Sequence, residues 1–361
     1  MRGSLIEIMN AVSAKFKAVV YCWQSCHLNG NAMPTAAFSH VAALTFSFDA
    51  ALFHNVHKKY MLNAFFSLWL MLISGSVLSE ISVVDDQGQV LILPQPANRV
   101  ISLAPHVTEN LYAIGAGDLL VGAVSYSDYP EAAKYLPRVG DYANLNIERI
   151  LSLQPDLVVA WIDGSPGSQL ERIESLGIPV LRESPDSFAE IASALRRLGA
   201  VTGRNEGAEQ AATDLEQRIR VLREKHRSQT PLRVFYQLWH QPLITANSSQ
   251  LIDQIIQLCG GGNIFANRPE VAPRVNIEAV IAADPDLILA GVERHDPHWR
   301  DHWQPWSQMK VIRYQLLYGV DADAIHRATM RAVDGAEQVC IQLDEARTIL
   351  QRVNAEKQKQ P

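Results

Sequence analysis

Cysteine is scarce in this chain, with 4 among 361 residues, and two of them, Cys22 and Cys26, fall in an amino-terminal stretch unlike the rest. That scarcity excludes a disulfide-stapled scaffold, and without a second close pair Cys22 and Cys26 do not make a zinc site. No long basic run occurs and the net charge is −6, which excludes nucleic acid as the main partner. Also absent are the phosphate-cradling GxxxxGK[ST], a GxGxxG after a strand, the GxSxG elbow and HExxH. With no visible nucleophile or cofactor loop, the chain is expected not to be an enzyme and to need no cofactor. A Gly- or Ser-rich linker between the halves is missing too, so whatever joins them is a regular element.

What is present is a repeat. NIERILSLQPDLVVAW at 146–161 is echoed by NIEAVIAADPDLILAG at 276–291. One duplication reads as two similar lobes, because a solenoid needs at least three copies. In each copy Asn146 or Asn276 is placed to cap a helix by accepting from its first free amides. Glu148 and Glu278 fall in the first turn, where the helix dipole favours a carboxylate. Ile147, Ile150 and Leu151, like Ile277, Val280 and Ile281, recur at helical spacing and face a core. Pro155-Asp156 and Pro285-Asp286 stop the helices, and LVVAW and LILAG are apolar on both faces, as strands buried in a parallel sheet must be. The fold class is therefore α/β, and 361 residues at 48% apolar content suffice for two cores.

Residues 1–60 carry no convincing element boundaries and read as an upstream or dispensable extension. Lys58 and Lys59 precede LNAFFSLWLMLISGSVLS, and residues 61–79 have the charged start, apolar middle and small-residue exit of a secretory signal cleaved after Ser79. A retained membrane anchor is the other reading of that stretch, and both put the remainder outside the cytoplasm. Residues 80–97 predict a short hairpin turning at Asp86-Gln87-Gly88. Strand and helix then alternate through a first lobe at 98–203, with Thr108 and Glu109 opening its first helix and Tyr126 just past a strand end. Ala208, Ala212, Leu215, Ile219 and Leu222 mark one long amphipathic helix within 204–228, a rigid bridge that keeps hinge motion small. A second lobe at 229–350 repeats the order of the first, its opening strand read over RVFYQLWHQPLIT, and 351–361 is expected to fray.

Beyond the leader only Cys259 and Cys340 remain. In an exported chain two leftover thiols pair, and two buried free thiols are the alternative. His106, His240 and His326 each follow an apolar strand, and with His295, His298 and His302 they could hold a metal. The second reading of those last three is a solvated loop.

From about Arg99 to Leu350 the chain resembles the class III periplasmic binding proteins, which carry cobalamin, haem or iron siderophores. The resemblance rests on ISLAPHVTE at 101–109, VSYSDYP at 124–130, the NIERILSLQPDLVVAW unit, CGGGNIF at 259–265, RVNIEAV at 274–280 and DADAIHRATMR at 321–331. It implies two Rossmann-like lobes joined by a single long helix, a periplasmic location, and a ligand held between the lobes. The loaded protein would dock onto an ABC importer permease dimer driven by its ATPase subunits. The implied ligand is cobalamin or a related corrinoid, carried as cargo, with a ferric siderophore or haem as the alternative. Tyr126 and the segment Asp323, Ala324, Ile325, His326 and Arg327 match ligand-contacting positions of the cobalamin-binding members. Tyr142 and Trp161 stand where those members have Trp, and Trp239 adds another aromatic ring to a cleft suited to a broad apolar macrocycle. Glu148 and Glu278 correspond to carboxylates that meet Arg on the permease, and Cys259 and Cys340 to a known bridge. Two departures stand out: Ala272 replaces a cleft Trp and Ile244 a Phe. No DxHxxG stretch is present, so a histidine is not expected to displace the lower base of the corrinoid.

Overall fold

The computed structural model describes residues 80–292 and 298–359; the expected extension and secretory segment lie outside these, as does His295. The described part begins with a hairpin in which β1 (Ile81–Val84) pairs antiparallel with β2 (Val90–Leu93). The Asp85 carboxylate accepts from the amides of Gln87 and Gln89 at 2.9 and 2.8 Å and so closes the turn.

The first lobe alternates β3 (Val100–Ser102), α1 (Pro105–Ala113), β4 (Leu120–Ala123), α2 (Ile147–Ser152), β5 (Leu157–Trp161), α3 (Gly167–Ser175), β6 (Val180–Glu183) and α4 (Phe188–Thr202). Then comes α5 (Asn205–His226). The second lobe holds β7 (Leu232–Gln237), a small ribbon of β8 (Trp239–His240) and β9 (Leu243–Ile244), α6 (Leu251–Leu258), β10 (Gly261–Asn263), α7 (Ile277–Ala283), β11 (Leu287–Val292), α8 (Lys310–Arg313), β12 (Leu317–Asp321), α9 (Ala322–His326) and α10 (Arg331–Lys359). Both main sheets are wholly parallel, with orders β4-β3-β5-β6 and β10-β7-β11-β12. In each, the first strand lies between the second and third, so the two lobes share one topology. The duplicated sequence unit is α2-β5 in one and α7-β11 in the other.

The repeat holds at the level of single bonds. Asn146 Oδ1 accepts from the Arg149 amide at 2.8 Å, and Asn276 Oδ1 from the Ala279 amide at 2.9 Å. Both helices end in a left-handed residue before the proline, Gln154 at φ 49 and Asp284 at φ 41. A proline disfavours the helical conformation in the residue before it, which stops each helix there. Asp156 and Asp286 then do more than end a helix. Asp156 accepts from the amides of Asn98 and Arg99, and Asp286 from that of Arg233, fastening the start of β3 and of β7. The same two arginines donate back to carbonyls at the helix ends, Arg99 to Leu153 and Gln154, Arg233 to Ala283.

The apolar stripe of α5 is the one its spacing predicts: Ala208, Ala212, Leu215, Ile219 and Leu222 are buried, joined by His226. The stripe packs on α1 and α4 of the first lobe and on α6 and α10 of the second, so one rigid helix belongs to both cores. Cys259, at the end of α6, is bonded to Cys340 within α10 across 81 residues. Closing a loop of that length restricts the unfolded chain by about 4 kcal/mol.

Three sequence expectations need correction. RVFYQLWHQPLIT is not one strand: β7 stops at Gln237 and the chain folds back through β8 and β9 around Gln241-Pro242. Pro105 stands in the first turn of α1, so the helix starts before Thr108 and Glu109, and both are buried. The end of the chain does not fray from Gln351, because α10 continues to Lys359. Arg352, Ala355, Glu356 and Lys357 are good helix formers, and adding a residue to an existing helix needs no new nucleus.

Candidate functional site

In parallel α/β sheets ligands sit beyond the carboxyl ends of the strands, and the segments marked by sequence lie there. Tyr126 follows β4, Trp161 ends β5, Trp239 follows β7, and residues 323–327 follow β12. Tyr142 sits in the loop that precedes α2. All four aromatic side chains are left open: Tyr126 and Tyr142 are 73% exposed, Trp239 48% and Trp161 37%. Tyr126 adopts φ 65, a conformation costing a non-glycine residue roughly 1 kcal/mol or more, which holds its ring out of the lobe. Trp161 lies across Gly164, where an added Cβ would fall 2.0 Å from the ring, so only glycine permits that pose. It meets the His106 ring edge to face, with centroids 5.6 Å apart. In β8, Trp239 stacks on His240, which stacks in turn on His302.

Between the lobes runs a charge cluster that sequence reasoning missed. Glu109, 4% exposed on α1, accepts from Arg327 Nη1 at 2.8 Å and from Arg331 Nε and Nη2 at 2.8 Å each. Arg327 also reaches Asp128 at 3.2 Å and Asp323 at 2.9 Å. Asn110 Nδ2 donates to the Ala328 carbonyl at 3.0 Å, a second bond from the first lobe to the second. No periodic signal marked it, because α1 is buried all round from His106 to Leu111.

This arrangement revises the role of the segment 323–327. Ile325 is wholly buried, backbone included, and Ala324 nearly so, which makes both core residues. Arg327 is committed to three carboxylates, and Asp323 to Arg327. His326 keeps part of its surface open, while its Nε2 pairs with the Tyr236 hydroxyl. Crowding by protein atoms, and Arg327 beside it, lower its pKa to about 4. His106 is likewise lowered to about 4, chiefly by burial and then by Arg327. Both imidazoles are neutral at pH 7. Among the described residues no three His, Cys, Asp or Glu side chains come together as a metal site: His106, His240 and His326 do not converge, and of the histidines His240 meets only His302.

Glu148 and Glu278 are exposed in the first turns of α2 and α7 and make no ion pair among the described residues. Helices that return between parallel strands begin at the strands' carboxyl ends. Glu148 and Glu278 therefore lie on the side of the aromatic residues of their lobes, each without an ion pair among the described residues. Of the two departures, Ala272 is exposed, and Ile244 pairs with Trp239 across the β8-β9 ribbon.

Comparison with known proteins agrees with this geometry. A family model described as "Periplasmic binding protein" matches residues 100–296. The chain is 38% identical to a "Vitamin B12-binding protein" of Vibrio cholerae over 255 residues, 70% of this chain and 92% of that one. A protein of the same description from Yersinia pestis is also 38% identical, over 70% and 89% of the two chains. Among solved structures, the periplasmic vitamin B12 binding protein BtuF of Vibrio cholerae superposes with a TM-score of 0.64 at 38% identity, covering 70% of this chain and 98% of that one. The periplasmic haem-binding protein RhuT of Roseiflexus sp. RS-1 superposes with a TM-score of 0.63 at 25% identity, over 69% and 99%.

Proposed function

Since the chain belongs to the periplasmic binding protein family, we propose that it is an extracytoplasmic solute-binding protein that captures cobalamin between its lobes and hands it to an ABC importer permease dimer. The observation that carries this reading is the set of four large aromatic side chains left open at the strand ends, where a soluble domain ordinarily covers them. A corrin presents a wide apolar face edged with amides. Rings of Tyr126, Tyr142, Trp161 and Trp239 match the face. The protein would be exported by the segment at 61–79 and act in the periplasm. Glu148 and Glu278 would each meet one subunit of the permease, whose ATPase subunits drive uptake.

A haem-binding role is the second reading, favoured by the similarity to RhuT. A haem brings two carboxylates, and Arg327 and Arg331 are already neutralised by Glu109, Asp128 and Asp323. Titration of the full chain with cyanocobalamin and, separately, with haemin distinguishes them by absorbance and heat. Stoichiometric binding of cyanocobalamin supports the first reading; saturable binding of haemin alone replaces it with the second.

A further inference from the structure

The shared topology of the lobes relates two cavities on either side of α5. Gly115 after α1 and Gly260 after α6 both close their helix at positive φ, +76 and +70. Aligned on these glycines, Glu109, Tyr112 and Ala113 correspond to Gln254, Gln257 and Leu258. The first three line a cavity of about 310 Å³ between α1, α5 and the start of α10. Their counterparts line one of about 490 Å³ between α6, the end of α5 and the start of α4.

The two cavities differ in charge. In the smaller one every charge is matched: Arg331 pairs with Glu109, and Arg218 with Asp334 and Glu337. In the larger one no carboxylate contributes to the lining. A neutral amide, Gln254, replaces Glu109. Arg223 and Arg227 make no ion pair among the described residues, although both border the cavity. Of the carboxylates near it, Asp253 is buried behind Gln257, and Asp344 is already engaged by His226, Lys225 and Arg347. Gln254 donates one N–H to the Asp186 carbonyl and Gln257 one to Asp253, which leaves each amide a second N–H. Phe188 and Leu258 supply apolar surface.

We propose that this cavity binds a small organic anion, an apolar body bearing a phosphate or carboxylate group. Arg223 and Arg227 hold the oxyanion, Gln254 and Gln257 add hydrogen bonds, and Phe188 and Leu258 cover the body. The cavity reaches Gly260 and Gly261 at the amino end of β10, the end of the sheet opposite the aromatic residues, so this site is separate from the one proposed for the transported solute. Its walls come from α4 of the first lobe and α6 of the second, so an occupant touches both lobes at once.

The test is calorimetric titration of the full chain at low salt with phenyl phosphate, with benzoate and with neutral benzamide. Saturable one-to-one binding of phenyl phosphate or of benzoate is expected, the stronger of the two identifying the oxyanion, with none for benzamide. Both the Arg223→Gln/Arg227→Gln pair and Gln254→Glu, which restores the carboxylate of the sister cavity, should weaken it by about tenfold or more. Cyanocobalamin titration of the same variants should be unchanged. Absence of saturable binding for both anions, equal binding of benzamide, or anion binding that survives the arginine substitutions would overturn the proposal.

Discussion

At the residue scale, Glu109 shows how one side chain ties two lobes. It is buried, and its two oxygens are shared between guanidiniums from the far side of the chain. Replacing it by Gln leaves Arg331 without a carboxylate while Arg327 keeps Asp128 and Asp323, and a buried charge that loses its partner costs about 3–5 kcal/mol. Urea unfolding of Glu109→Gln should show a loss of that order, and a loss below about 1 kcal/mol would mean that water screens the cluster. His106 sets an acid limit. Its pKa falls from 6.5 in the unfolded chain to about 4 in the fold, so between those values the unfolded state binds more protons and stability drops as pH falls. His106 alone should account for about 3 kcal/mol lost between pH 7 and pH 4, read by urea unfolding at both. A His106→Gln variant should show a correspondingly smaller loss.

At the element scale, two devices are open to direct test. The bond between the end of α6 and α10 staples the last helix to the second lobe. A Cys259→Ser/Cys340→Ser variant should unfold about 2–4 kcal/mol more easily, with solute binding retained in the fraction still folded. The first turns of α2 and α7 each offer a carboxylate with no ion-pair partner among the described residues. A Glu148→Ala/Glu278→Ala variant should keep its affinity for cyanocobalamin and lose delivery in a reconstituted uptake assay. An exposed ion pair is worth only about 0–1 kcal/mol, so these residues would set the orientation of docking more than its tightness. If affinity collapsed instead, the two carboxylates would belong to the solute site.

For the whole molecule, a solute gripped by both lobes favours the folded state by mass action. Cyanocobalamin at 100 times its dissociation constant should add about 2.7 kcal/mol to the unfolding free energy. Scanning fluorimetry would register this as a higher melting temperature, and no shift at saturating ligand would argue against the corrinoid. Sequence alone determined the parts of this protein that depend on local pattern. Asn146 and Asn276 cap because their side chains reach amides three residues on, and the stripe on α5 follows from helical spacing. The duplicated unit already implied matched lobes. Only the tertiary structure decided what Arg327, Ala324 and Ile325 do. A guanidinium in DADAIHRATMR carries no local sign of whether it faces a ligand or a glutamate more than two hundred residues away. Such partners are chosen by how the lobes meet along α5, and that contact has no period for a sequence to display.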